Sequence, residues 1–69
     1  MKADTILTML RKTRKYLELK QVDVAEKCNM KLQKFTGIES GKRYAKLHDV
    51  EKIAKALGYE LVLIKKEGE

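Results

Sequence analysis

The segment Gln21–Gly41, QVDVAEKCNMKLQKFTGIESG, decides the fold of this chain. Its two halves each carry apolar residues at helical spacing: Val24, Ala25 and Cys28, then Leu32, Phe35 and Ile38. Between the halves lies Asn29, a residue type that tolerates the left-handed backbone of a tight turn. The pattern therefore predicts two short helices joined by a turn. Helices this short are not stable alone, so they must pack on each other and on flanking helices.

The second of these helices also has a polar face. The residues outside its apolar stripe are Lys31, Gln33, Lys34 and Thr36. Ammonium, amide and hydroxyl groups bind phosphates and the edges of bases. The formal net charge of +6 favours a polyanionic partner as well. We therefore expect a nucleic acid as the partner. A membrane surface is not expected, because no helix combines a strong basic face with Trp or Phe anchors.

Two further helices are predicted on either side of this segment, over Thr5–Leu17 and His48–Leu57. Arg14 falls on the apolar stripe of the first of them. It is either a surface arginine whose stem covers apolar groups or a buried arginine that needs a carboxylate. Glu39 is the best candidate for that carboxylate, because it directly follows the apolar stripe of the 31–38 helix.

The C-terminal segment 59–66 has strong β-propensity and apolar side chains on both faces, but the chain contains no second strand to pair with it. Pairing with its own copy across a two-fold axis predicts a homodimer. The alternatives are a continuation of the preceding helix and a strand that docks on a different protein. The predicted dimerisation residues are Tyr59, Leu61, Val62, Leu63 and Ile64. We divide the chain into a DNA-binding domain (1–58), a dimerisation strand (59–66) and a frayed tail (67–69).

Several classes of protein are disfavoured by what the chain lacks. The single Cys28 excludes an intrachain disulfide and suits a reducing, cytoplasmic setting. No apolar run approaches the roughly 20 residues of a membrane span, and no signal peptide is recognisable at the N-terminus. We find no catalytic constellation, no metal-ligand spacing and no phosphate-binding glycine loop. The expectation is a non-enzymatic protein without a cofactor.

From about Leu10 to Leu57 the chain resembles the Cro/repressor-like, Xre-type helix-turn-helix family. The matching elements are Gln21, Val24–Lys27, Ile38–Arg43 and Ile53–Gly58, in the family's order and spacing. The resemblance implies an all-α, lambda-repressor-like bundle of four to five helices that binds operator DNA as a two-fold dimer. The strand after the last helix looks like the dimerising tail of antitoxin-type members, which bind DNA and also neutralise a toxin protein.

The resemblance also implies roles for individual residues. Gln21 corresponds to a phosphate contact, and Arg14 and Glu39 correspond to a buried ion pair. Positions on the groove side of the recognition helix are Lys31, Leu32, Gln33 and Gly37, and those in the phosphate-contacting loop are Lys42, Arg43 and Lys46.

This chain departs from the family where Leu32 and Gly37 replace residues that often bond to bases. Gln33 is then the best adenine reader, through its bidentate amide. Leu32 suits a thymine methyl group, and Lys34 or Lys31 suits guanine or a phosphate.

Three functional hypotheses follow. The first is a transcriptional regulator, most simply a repressor, that inserts the 31–38 helix in the major groove as a homodimer. The second is an antitoxin that binds both operator DNA and a toxin. The third is a protein-interaction module that uses this fold without binding DNA.

Overall fold

The computed structural model describes residues 3–68, which form four helices and no strand. The helices are α1 (Ala3–Tyr16), α2 (Gln21–Lys27), α3 (Leu32–Glu39) and α4 (Leu47–Ala56). The all-helical architecture with a helix-turn-helix agrees with the prediction, although the outer helices both begin and end slightly earlier than predicted. Residues 1–2 of the predicted DNA-binding domain and residue 69 of the predicted tail lie outside the described range.

The helices enclose one apolar core. The contacts run from α1 to α3, from α3 to α2, from α2 to α4 and from α4 back to α1, so each short helix is supported on two sides. Phe35, Ile38 and Val24 are the largest side chains that are fully buried. The remaining core residues are Leu7, Leu10, Ala25, Cys28, Val50, Ile53, Ala54 and Leu57. Phe35 and Ile38 of the predicted apolar stripe of α3 therefore face the centre of the molecule, whereas Leu32 at the start of that stripe is exposed. The side of α3 opposite Phe35 is left for solvent or a partner.

All four helices end in the same way, with a residue in the left-handed region followed by two backbone hydrogen bonds back into the last turn. After α2 that residue is Asn29 (φ 55°), as the sequence indicated. Its N–H donates to the carbonyl of Glu26 at 3.0 Å, and the N–H of Met30 donates to Ala25 at 2.9 Å. These bonds satisfy the terminal carbonyls within one tight turn, which fixes the direction in which α3 leaves α2. The equivalent residues after α1, α3 and α4 are Glu18, Gly41 and Gly58.

The helix beginnings differ from one another. Asp23 in α2 accepts a hydrogen bond from the backbone N–H of Lys20 at 3.3 Å, and Asp49 in α4 accepts one from Lys46 at the same distance. The start of α3 has neither a side-chain cap at Lys31 nor an acidic residue in its first turn. Of these three helices, α3 is therefore the one whose N-terminal amides have no carboxylate beside them.

The predicted strand at 59–66 is not observed. Beyond Gly58 the chain continues without regular secondary structure to residue 66, because a strand requires a ladder partner and the described part of the chain contains none. The alternative of a continued α4 is wrong, since Gly58 (φ 87°) ends that helix. None of the helices described combines the length and the apolar composition needed to span a bilayer.

Candidate nucleic-acid interface

The side of α3 that points away from the core is open to solvent. Lys31 and Gln33 are exposed, and Leu32 retains 44% of its surface although it is a large apolar side chain. Thr36 and Gly37 are half-buried. The Thr36 hydroxyl donates to the carbonyl of Gln33 at 3.2 Å, which directs it along its own helix. The clearly outward polar groups are thus the Gln33 amide and the Lys31 ammonium.

Lys34 lies at the edge of this face and is paired within the chain. Its Nζ is 3.3 Å from a carboxylate oxygen of Asp49, and the Lys34 side chain is 39% exposed. Asp49 itself is buried, which opposes its ionisation, but the Lys46 N–H and the Lys34 ammonium outweigh burial and hold the Asp49 pKa below its ordinary value. Lys34 therefore fastens α3 to the start of α4.

Gly37 makes a close contact with the loop that follows α3. A Cβ atom placed on Gly37 would lie 3.1 Å from Cβ of Arg43 and 3.5 Å from its Cδ. The Gly37 carbonyl also accepts backbone hydrogen bonds from Lys42 and Arg43, both at 3.0 Å. The residue is inside the helix, and its missing side chain leaves room for the arginine stem. Lys42, Arg43 and Lys46 are all exposed.

A buried ion pair connects α1 to the end of α3. Arg14 Nε and Nη2 donate to the two carboxylate oxygens of Glu39 at 2.7 and 2.9 Å, and Arg14 Nη1 donates to the carbonyl of Leu19 at 2.8 Å. Gln21 Nε2 donates to Glu39 at 2.8 Å. Arg14 and Glu39 are each 8% exposed, so the pair depends on this geometry.

The charge of Glu39 is maintained despite its burial. Desolvation raises its pKa, but the hydrogen bonds from Arg14 and Gln21 and the positive charges of Arg14 and Arg11 together lower the pKa below its ordinary value. An ionised Glu39 keeps α1, α2 and α3 in one arrangement. The outward face of α3 is consequently presented by a rigid support.

A family described as "Helix-turn-helix domain" matches residues 7–64, which is most of the chain. The chain belongs to this family. The match is consistent with the Xre-type resemblance of the sequence and indicates a DNA-binding regulator in general. Searches among curated proteins and among solved structures gave no significant match.

In this helix-turn-helix protein the predicted interface residues do not form one uniform surface. Lys31, Leu32 and Gln33 lie on the outward face of α3, and the basic loop lies beside the end of that helix. Gln21 and Lys34 use their side chains in bonds inside the molecule. Helix-turn-helix DNA-binding domains are typically not enzymes, and residues 3–68 contain no cluster of three or more His, Cys, Asp or Glu that could hold a metal ion.

Two contacts at this surface are not predicted by the sequence pattern. The pairing of Asp49 with Lys34 joins residues 15 positions apart, and nothing in the apolar pattern indicates it. The only feature of the sequence that points to this pairing is the position of Asp49, three residues after Lys46, which precedes α4. A carboxylate at that position is expected to accept a hydrogen bond from the backbone. The sequence contains no indication of the contact between Gly37 and Arg43 other than a glycine inside the predicted helix.

Proposed function

We propose that this protein is a sequence-specific transcriptional repressor that inserts α3 in the major groove of double-stranded DNA as a homodimer. The observation that carries this proposal is the exposed Gln33 on the outward side of α3, opposite the buried Phe35 and Ile38. The first turn of α3 also has no acidic residue to repel phosphates. A helix fits the width of the major groove, where base pairs present distinct patterns of donors and acceptors.

Contacts to bases come from the first turn of α3. The Gln33 amide can donate to N7 and accept from N6 of adenine at the same time, which distinguishes this base from the others. The half-exposed Leu32 suits the methyl group of a neighbouring thymine. Lys31, which precedes the helix, can reach guanine or a phosphate. Base recognition by these few residues is supplemented by contacts to the DNA backbone.

Contacts to phosphates come from the loop after α3 and from the start of α2. Lys42 and Lys46 are exposed on the loop after this helix and provide positive charge that does not depend on base sequence. At the start of α2, Gln21 uses one N–H of its amide for Glu39. An amide nitrogen has a second N–H, which remains for a phosphate oxygen. Gln21 thus couples the buried ion pair to the DNA backbone.

The segment 59–66 is the proposed dimer contact, and a second copy of this chain is its occupant. Val62, Leu63 and Ile64 retain 66, 103 and 85% of their surface, which is unusual for three consecutive apolar residues. The chain exposes 5810 Å², whereas a compact monomer of this mass exposes roughly 4,500 Å². Pairing of two such segments would give each a ladder partner and cover apolar surface. A different protein bound to this segment instead would favour the antitoxin hypothesis.

The dimer predicts the form of the operator. Two copies of α3 related by a two-fold axis read half-sites about one helical turn, or ~34 Å, apart. Selection of bound sequences from a random pool of duplex DNA should therefore recover a palindrome. A pool without any enriched sequence would contradict sequence-specific binding.

Substitutions separate base reading from phosphate binding. Gln33→Ala should weaken binding to the selected operator by ~1–3 kcal/mol and leave binding to random DNA nearly unchanged. Lys42→Ala is the matched control, since it should weaken both by a similar factor. Fluorescence anisotropy at several salt concentrations measures both effects. Equal losses for Gln33→Ala on the two DNAs would refute its base-reading role, and salt-independent or absent binding would favour the interaction module.

A further inference from the structure

Gly37 leaves a gap on the outward face of α3. It lies four residues after Gln33, so the two positions are neighbours on the helix surface, one turn apart. A side chain at this position would point to the same groove as Gln33. Glycine has no side chain, so of these two positions only Gln33 would present a polar group to the groove.

The side chain of Arg43 lies in that gap. Its Cβ, Cδ and Cγ atoms are 3.1, 3.5 and 3.9 Å from the position that a Cβ on Gly37 would occupy, so the stem runs along the helix face. The loop is held there by the Gly37 carbonyl, which accepts the N–H groups of Lys42 and Arg43 and the hydroxyl of Ser40. These bonds fix where the arginine starts.

The charged end of Arg43 has no competing partner among the side chains described, those of residues 5–68. Asp49 and Glu39, the buried carboxylates of this half of the molecule, are paired with Lys34 and Arg14. Arg43 is exposed and forms no ion pair or side-chain hydrogen bond with the described residues. Its guanidinium is thus available to a ligand from outside the chain.

We propose that Arg43 replaces the missing side chain of Gly37 and reads a guanine next to the base read by Gln33. This inference rests on the proposed function, and it assigns to the loop arginine a base contact in place of the phosphate contact implied by the family resemblance. Arginine donates two parallel hydrogen bonds to O6 and N7 of guanine, which is the commonest specific contact in the major groove. Gly37 acts as a positioning residue, because its lack of a Cβ lets the arginine stem approach the helix.

The test compares the sequences that the full chain and its variants select from a random pool of duplex DNA. The unmodified protein should select a half-site with a guanine beside the position sensitive to Gln33→Ala. Arg43→Ala should lose the preference for that guanine alone, and Lys42→Ala, its loop neighbour, should bind more weakly but select the same motif. On the selected operator Arg43→Ala should lose about 5- to 150-fold in affinity, but little once that guanine is replaced by adenine.

A second variant keeps the arginine and disturbs its position. Gly37→Ala places a Cβ only 3.1 Å from that of Arg43, so the arginine must shift. We expect the same guanine preference to weaken while thermal unfolding shows a folded protein. An unchanged preference would overturn the positioning role of Gly37. An unchanged motif with Arg43→Ala would overturn base reading by Arg43 alone, whereas no motif even with the unmodified protein would overturn the proposed function as well.

Discussion

The helical body, residues 3–58, and the segment 59–66 differ in whether their side chains find partners within the chain. In the body the buried charges have partners in the same chain, such as Glu39 with Arg14 and Asp49 with Lys34. In the segment, large apolar side chains such as Leu63 and Ile64 remain exposed. The body thus pairs its buried charges within one copy, whereas the segment leaves its apolar side chains uncovered in the single chain.

This difference comes from the periodicity of the apolar residues. In α3 and α4 they recur at helical spacing and form one stripe that the neighbouring helices can cover. In the segment, four apolar residues follow one another from Leu61 to Ile64, so they point to both sides of an extended chain. One small bundle cannot cover both sides. The same apolar content thus gives a core in one region and an exposed surface in the other.

The largest effect is expected where the body loses an internal partner. Glu39→Gln leaves the buried Arg14 guanidinium without a counter-charge, which typically costs about 3–5 kcal/mol of stability. A domain of this size has little more than that to lose. Urea unfolding should therefore show a protein that is only marginally stable and already partly unfolded in buffer.

Glu26→Gln is the control for this prediction, because it makes the same change on an exposed position of α2. Its stability should stay within about 0.5 kcal/mol of the unmodified protein. If Glu39→Gln unfolds with a free energy equally close to that of the unmodified protein, the body does not depend on this ion pair.

A smaller effect of a different kind is expected in the segment. Leu63 is fully exposed in the single chain, so Leu63→Asp should leave the stability of the body unchanged. In the proposed dimer it removes an apolar contact, and association should weaken by about 1.5–3 kcal/mol for each of the two copies, the value of burying one leucine side chain. Sedimentation equilibrium over a range of protein concentrations measures this.

Tyr44→Asp is the matched control, since Tyr44 is equally open to solvent, at 88%, but lies in the loop after α3. It should not alter association. A dimer that is insensitive to Leu63→Asp, or sensitive to both changes, would place the contact between the two copies elsewhere. Lowered stability of the Leu63→Asp body would show that the segment packs within its own chain.

The features that depend on neighbours in sequence could be predicted. The apolar spacing of Phe35 and Ile38 indicated the buried side of α3, although Leu32, the first residue of that predicted stripe, is exposed. Asn29 indicated the left-handed turn. Both are local, because helical spacing and turn geometry are set within a few residues. The family match extends this to the helix-turn-helix as a whole.

The features that depend on residues far apart in the sequence could not be predicted. Lys34 was predicted as a DNA contact because it lies outside the apolar stripe, and its pairing with Asp49 depends on the packing of α4. Gly37 was predicted on the groove side of α3, and the contact of Arg43 with it depends on the return of the loop. Glu18 adopts a left-handed backbone (φ 58°) that its residue type does not favour. In each case tertiary packing decided the outcome.

The smallest effect is expected where a charge of the body is only partly shielded. Asp49→Asn removes the ion pair with Lys34, whose side chain is 39% exposed and can be solvated, so the loss should be about 1 kcal/mol. The Asp49 pKa lies below its ordinary value of 3.8, so the ionised form stabilises the fold above that pH and its contribution is lost as the pH falls. The difference between Asp49→Asn and the unmodified protein should therefore shrink on acidification.

Asp23→Asn provides the matched control, because Asp23 accepts the equivalent backbone hydrogen bond at the start of α2 but is exposed and has no lysine paired with it in the described structure. Thermal unfolding of both variants between about pH 7 and pH 3 separates the ion pair from the helix-start bond. A loss for Asp49→Asn no larger than for Asp23→Asn would mean that Lys34 is held only weakly. Lys34 would then be free to reach a phosphate.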